Sequence, residues 1–305
     1  MEIKKVLLVG AGAIGAVCAK QFDEYLPKGD FAILANGARK QRLQEGIFIN
    51  DEKYLFNIID SDEKFEPDLI IISTKYPSLN QAIDDITNYV KENTIILSLL
   101  NGIESEEIIS NAFGSDKVIY GTCNDFPSLR NEKGIYCKRA GFIPVGEKDN
   151  QVTERINAVC EILKNSGIRS EVSQDIHRDI WVKFLINLGS NQVSALTGAT
   201  YQEFADIEQN ILLSEMIMLE ALEVGKAAGI NITKADVDSW VADAKNYKGN
   251  GKTSTLQDIE AGRKTEVEFF SGTIVKLGEK LAIKTPVNKF VLLQIQAIEK
   301  KKGVF

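Results

Sequence analysis

The chain has a single histidine, His177, among 305 residues. A site with two or three histidine ligands is therefore excluded, and a Ser-His-Asp hydrolase would depend on this one residue. There are four cysteines, at 18, 123, 137 and 160. They are too few and too scattered for a disulfide framework or a paired-cysteine metal knuckle, and they read as free thiols in a reducing compartment, the cytoplasm. Prolines number only six. That composition excludes collagen-like and disordered chains. No apolar run reaches the ~20 residues that span a bilayer. A basic excess is also missing: 36 Lys and Arg face 43 Asp and Glu, a net charge of −7. Without a positive field to displace counterions, nucleic acid and anionic membrane are poor partners. Lys4-Lys5 and the apolar stretch up to Cys18 faintly resemble an export signal. However, Val17 stands before the cysteine, where lipoprotein processing needs a small residue.

What the chain does have is 44% hydrophobic residues over a length that suggests two domains. In the first 174 residues, short apolar runs alternate with helical patterns. Runs at Ile3–Val9, Phe31–Ala35, Asp68–Ser73 and Thr94–Leu99 lack a polar face, as strands covered on both sides do. Helical stretches over Ala13–Tyr25, Ser78–Lys91 and Val152–Asn165 separate or follow them. A turn at Asn50-Asp51-Glu52 predicts a hairpin, residues 117–146 predict an antiparallel edge, and Ile168–Val172 a last strand. Right-handed crossovers then give a Rossmann-type doubly wound α/β domain over 1–174. From 175 to 305 the strand signals stop. Helical patterns follow at Asp175–Leu196, Ile207–Ala228, Lys234–Lys245, Gly262–Leu281 and Val287–Lys300, predicting an all-helical second domain. No flexible linker joins the two, so a cleft between them is the expected place for a site.

Gly10-Ala11-Gly12-Ala13-Ile14-Gly15 follows the first strand directly and opens a helix. Gly10 permits the tight turn, Gly12 lets backbone approach a pyrophosphate, and Gly15 permits close helix–strand packing. The helix N-terminus supplies N–H groups to the phosphates. The plainer alternative is a glycine turn with no ligand. The second strand runs into Asn36-Gly37 without the acid that usually binds a ribose 2′-hydroxyl, and Arg39 and Lys40 follow. That favours a 2′-phosphate, hence NADP, although the two cations could equally be a solvated helix face.

Lys183, Asn187 and Asn191 fall at i, i+4 and i+8 of an otherwise apolar helix and so share one face. Such a row either faces water or lines a polar site. Lysine suits proton donation to a developing alkoxide. Ser254 can be read as a helix N-cap and Glu266 as a surface carboxylate.

Taken together, the glycine loop, Ser73-Thr74-Lys75, Asn101-Gly102, Trp181-Val182-Lys183 with Asn187 and Asn191, Ser254-Thr255-Leu256-Gln257-Asp258, Lys264-Thr265-Glu266 and the ending Ile283-Lys284-Thr285-Pro286-Val287-Asn288 make the chain resemble the ketopantoate reductases over nearly its whole length. The resemblance implies NADPH-dependent reduction of 2-dehydropantoate to (R)-pantoate, a step toward pantothenate and coenzyme A. It implies that Lys183 is the general acid and that Glu266 orients it. Asn187, Asn191, Ser254 and Asn101 would bind the substrate, a small 2-oxo acid. Gly10, Ala11, Gly12, Ala13, Ile14, Gly15, Asn36, Arg39, Lys75 and Asn101 would bind the nucleotide, and no metal is needed. Many members carry Arg where this chain has Asn36, so Arg39 or Lys40 would have to substitute, with NADH as the alternative cofactor. A homodimer is an assembly this reading allows. The competing readings are reduction of a different 2-oxo acid on the same scaffold and a non-catalytic nucleotide-binding sensor.

Overall fold

The computed structural model describes residues 1–126, 128–131 and 133–304, with backbone alone for 128–131. Two compact units divide the chain, Met1–Asp179 and Ile180–Phe305. Sequence texture places the change at 174/175.

The first unit runs β1 (Val6–Val9), α1 (Ala13–Tyr25), β2 (Phe31–Leu34), α2 (Gly37–Gln44), β3 (Ile47–Ile49), β4 (Glu52–Tyr54), β5 (Ile58–Ile59), β6 (Leu69–Ile72), α3 (Leu79–Ile86), β7 (Ile95–Ser98), α4 (Ser105–Phe113), β8 (Val118–Gly121), β9 (Ser128–Asn131), β10 (Gly134–Cys137), β11 (Phe142–Gly146), α5 (Glu154–Asn165) and β12 (Arg169–Val172). Eight strands form the main sheet in the order β12-β11-β8-β7-β6-β1-β2-β5. The pairings are parallel, except that β8 and β11 are antiparallel. β1, β2, β6 and β7 are buried along their whole length, as their uninterrupted apolar sequences require. The chain winds outward from β1 in both directions, to β2 on one side and β6 on the other. That places a topological switch point at the carboxyl ends of β1 and β6.

The hairpin forms as its turn predicts: Asn50 and Asp51 take φ of 51° and 66°, the left-handed pair that matches strand twist. Residues 117–146 differ from the expected edge, and Pro127 and Glu132 of that span lie outside the described residues. Only β8 and β11 join the main sheet. β9 and β10 leave it to form a four-stranded sheet, β4-β3-β10-β9, with the hairpin. The Asn50 side chain pins this sheet by donating to the Cys137 carbonyl at 2.9 Å and accepting from the Cys137 amide at 2.8 Å.

A long helix, α6 (Ile176–Thr197), carries the chain across the unit boundary. The second unit continues with α7 (Tyr201–Asp206), α8 (Glu208–Ala227), α9 (Lys234–Ala244), α10 (Ser254–Glu260), α11 (Ser271–Lys280) and α12 (Pro286–Lys301). The Glu220 carboxylate accepts from the backbone amides of Val287 at 2.8 Å and Asn288 at 2.9 Å, satisfying the start of α12 on α8. One expectation fails here. Residues 262–270 are not helical: a 3-10 turn at Val267–Phe269 precedes α11. The cause is a competing anchor. Glu299 of α12 accepts from the Thr265 amide (2.7 Å), the Thr265 hydroxyl (2.6 Å) and the Lys264 ammonium (2.6 Å), which holds this stretch open.

Candidate active site

At the carboxyl edge of the main sheet, the loops after β2, β1, β6 and β7 stand side by side. They carry Asn36, Gly10–Gly15, Ser73-Thr74-Lys75 and Asn101-Gly102. The glycine pattern is explained by contact. A Cβ on Gly10, whose φ is 104°, would meet the Ser73 carbonyl and come within 2.8 Å of the Thr74 amide nitrogen. A Cβ on Gly15 would strike the Gly10 carbonyl oxygen. At Gly12 a Cβ would meet nothing within 4 Å, so the space beyond it is open to a ligand. Gly12 is the N-cap of α1 and has no side-chain cap, so the amides of that first turn face outward. The Thr74 hydroxyl, beside Gly10, is buried without a hydrogen-bond partner, a polar atom that a bound nucleotide could satisfy. The loop therefore fits a dinucleotide.

The far end of this edge is less simple. The Asn36 amide donates to the Ser61 hydroxyl (2.8 Å) and accepts from the Ser61 backbone (3.0 Å). Lys40 is drawn away to Asp60 at 2.7 Å and Glu63 at 2.5 Å. These carboxylates raise its pKa and have their own lowered by it. Lys40 is thus committed to a protein ion pair, which argues against it as the substitute for the missing Arg. A 2′-phosphate would turn on Arg39, in the first turn of α2.

In the second unit, α6 aligns Lys183, Asn187 and Asn191 as the spacing predicts. The two amides are only 7% and 8% exposed, and Lys183 is half-buried, so this is no solvated stripe. Glu266 is equally buried, at 8%, and caps the 3-10 turn that leads to Phe270. The Phe270 ring stacks on Phe184, the neighbour of Lys183, with centroids 5.8 Å apart. This contact ties the Glu266 segment to the Lys183 turn of α6. Ser254 is exposed at the first turn of α10, and it is not the cap: the Thr253 hydroxyl accepts from the Leu256 amide at 3.3 Å. Sequence reasoning missed Glu299 and Asp60. Glu299 could have been suspected only as a carboxylate on the apolar face of the last helix. Among the described residues no cluster of His, Cys, Asp and Glu could hold a metal ion. All four cysteines are buried and stand outside any disulfide.

Models of the ketopantoate reductase family match residues 6–150 and, for its C-terminal domain, 175–299. The chain belongs to the ketopantoate reductase family. It is 26% identical over 300 residues to a 2-dehydropantoate 2-reductase of Archaeoglobus fulgidus, covering 98% of this chain and 99% of that one. Among solved structures, D-mandelate dehydrogenase with NADH and anilino(oxo)acetate superposes with a TM-score of 0.87 at 23% identity, over 98% of this chain and 100% of the other. A 2-dehydropantoate 2-reductase from Geobacter metallireducens gives 0.85 at 23% identity, over 96% and 99%. At these identities the structures establish the shared fold. Members of the family are oxidoreductases, and no helix among the described residues is long and apolar enough to cross a membrane.

Proposed function

We propose that the protein is a nicotinamide-dependent reductase of a 2-oxo acid, with Lys183 as general acid and 2-dehydropantoate, reduced to (R)-pantoate, as its substrate. The observation that carries this reading is the buried polar row on α6. A solvated surface stripe would leave Asn187 and Asn191 wet, whereas here two amides and a half-buried lysine are set into an apolar helix.

When bound, dihydronicotinamide supplies a hydride to the ketone carbon. Gly10–Gly15 would hold the pyrophosphate, Asn36 and Arg39 the adenosine ribose, and Lys75 and Asn101 the nicotinamide side. The ketone oxygen gains negative charge as its carbon is reduced. The Lys183 ammonium stabilises that charge and gives up a proton from Nζ to form the alcohol. The Glu266 carboxylate would orient the lysine and the substrate. Asn187, Asn191 and Ser254 offer amide and hydroxyl donors to the substrate carboxylate, so no metal is required. The compartment this reading implies is the cytoplasm, where four thiols stay reduced.

NADPH remains the proposed cofactor. The capture of Lys40 by Asp60 and Glu63, together with the NADH seen in D-mandelate dehydrogenase, supports testing NADH in parallel. That relative's anilino(oxo)acetate complex likewise supports a panel of 2-oxo acids. The test follows loss of nicotinamide absorbance with purified protein. Turnover of 2-dehydropantoate with NADPH establishes the reading. Turnover of another 2-oxo acid alone transfers it to that substrate, and nucleotide binding without turnover of any refutes it.

A further inference from the structure

In an open sheet of this strand order, a dinucleotide lies across the switch point, one half on each side. The end of β2 takes the adenosine side, so the nicotinamide side falls over the loops after β6 and β7. Tyr76 joins those two loops. It follows Lys75 directly and opens a 3-10 turn, Tyr76–Ser78, which the Ser78 amide closes on the Lys75 carbonyl at 2.9 Å. The residue is only 4% exposed. Its phenol oxygen serves the other loop, where it accepts from the Glu104 amide at 3.2 Å. Gly102, with φ of 100°, lies against the same oxygen, and a Cβ there would come within 2.8 Å of it. Burial, with the Glu106 carboxylate nearby, holds the phenol well above its ordinary pKa, so it stays protonated. The base of the second loop is closed separately. Ser105, at the start of α4, gives its hydroxyl proton to the Glu106 carboxylate at 2.9 Å. A serine has one proton to give, so the Ser98–Ser105 bond of 2.8 Å runs from Ser98. The Ser98 oxygen in turn accepts from the Leu100 amide at 3.4 Å. Ser98, Ser105 and Glu106 are all buried. These bonds fix the two ends of residues 99–104, and Tyr76 fixes how far their tip stands from Lys75.

We propose that Tyr76 is a positioning residue for the nicotinamide half of the dinucleotide: its phenol holds the loops after β6 and β7 at one spacing, so that Lys75 and Asn101 are set for the nicotinamide ribose before the nucleotide arrives. This deepens the reading above and rests on its nucleotide site. Tyr76 acts through the two loops, and its contribution is preorganisation: loops already held lose less freedom when the ligand binds. The adenosine half, held by the loops after β1 and β2, does not depend on it.

The full chain is titrated with whichever of NADPH and NADH it binds more tightly, and with the adenosine half of that nucleotide, 2′,5′-ADP or ADP. Tyr76→Phe keeps the buried ring and removes the oxygen. It should weaken the dinucleotide about tenfold and leave the adenosine half within about twofold, which also shows that the variant is folded. Under turnover its kcat should fall while KM for the 2-oxo acid holds, because the nicotinamide is misaligned. Gly102→Ala presses on the same contact from the other loop and should give the same split. In the double variant the missing oxygen leaves that Cβ room, so the two losses should fall short of adding. Equal weakening of both ligands makes Tyr76 a core residue only and overturns the proposal, as does an unchanged dinucleotide affinity. Fully additive losses remove the phenol as the link between the loops. A parent that binds neither dinucleotide overturns the nucleotide reading, and the proposal with it. A parent that binds one but reduces no 2-oxo acid refutes the reductase alone, and the binding split still decides on Tyr76.

Discussion

Glu299 should support the site without touching it. Its Oε1 accepts from the Thr265 amide at 2.7 Å and the Thr265 hydroxyl at 2.6 Å, and its Oε2 accepts from the Lys264 ammonium at 2.6 Å. Glu266 follows Thr265 directly. Glu299→Gln keeps an oxygen for Thr265 but turns an amide N–H₂ toward Lys264. Because the Lys264 side chain is 39% exposed, water screens much of that loss, and about 1–2 kcal/mol is expected. Glu299→Ala removes all three bonds and orphans a buried backbone N–H. The cost rises to about 3–5 kcal/mol, a fall in Tm of about 10 °C for a protein of this size. The functional readout is separate. With the Lys264–Glu266 stretch free to move, kcat should fall about tenfold in the folded variant, because misplacing a catalytic group by an ångström costs that much or more. Nucleotide affinity, carried by the other unit, should not change. Thr265→Val gives the control: it loses the hydroxyl's bond to Glu299 and the bond that hydroxyl accepts from the Val267 amide at 3.3 Å, about 1–2 kcal/mol, and keeps the Thr265 amide and Lys264 contacts. If Glu299→Ala unfolds within 1 kcal/mol of the parent, the anchor is not what holds this segment. If it is destabilised yet turns over normally, the anchor does not position Glu266.

The glycine loop separates fold from binding. Gly12→Ala should leave Tm unchanged and weaken nucleotide binding in a titration, whereas Gly15→Ala, which drives a Cβ into the Gly10 carbonyl, should cost about 1–3 kcal/mol in a denaturant melt. Lys183→Ala should lower kcat by orders of magnitude in a steady-state assay with NADPH affinity intact, because the proposed general acid would act on charge that develops in the transition state. Glu106 should make stability depend on pH. Burial pushes its carboxyl up to about 7, against the Ser105 hydroxyl that bonds to it. In the unfolded chain it ionises near 4.3, so stability present below that pH is lost as pH rises to about 7, at up to ~1.4 kcal/mol per unit. Relative to Glu106→Gln, the parent should lose ground in denaturant midpoint between pH 5 and pH 8, and a constant difference would refute the burial argument. Asp60→Asn combined with Glu63→Gln should release Lys40 and raise the NADPH-to-NADH ratio of kcat/KM about tenfold; an unchanged ratio removes Lys40 from cofactor choice.

The sheet was legible because its strands carry two-sided burial in their composition. Leu69–Ile72 and Ile95–Ser98 have no polar face to misread, and helix α1 ends where its apolar periodicity ends. Legibility failed where local pattern competes with a distant partner. Residues 262–270 look helical until Glu299, over thirty positions away, takes the Thr265 amide and hydroxyl. The departure of β9 and β10 to a second sheet depends on Asn50 reaching Cys137, a contact 87 positions apart that no window can contain. The antiparallel alternation of those strands was visible, but not which sheet they would join.

The same distinction divides the candidate site. Gly10, Gly12 and Gly15 are local devices, and a motif between strand and helix suffices to assign them. Lys183, Asn187 and Asn191 are periodic, so their shared face was legible, but their burial was not. It depends on which surfaces α6 meets, and burial is what separates a working polar row from a wet one. The charge at the end of β2 was least legible of all. From sequence, Arg39 and Lys40 are two adjacent cations after an Asn, and they suggest a phosphate. In the fold, β5 lies beside β2 in parallel register, Leu34 against Ile59, so the residues after the two strands meet. Asp60 and Glu63 then claim Lys40, and Ser61 claims Asn36. The charge offered to a nucleotide at this end of the sheet is therefore set by the neighbouring strand as much as by the residues that follow the second one. A fingerprint read along β2 alone counts a cation that the sheet has already neutralised.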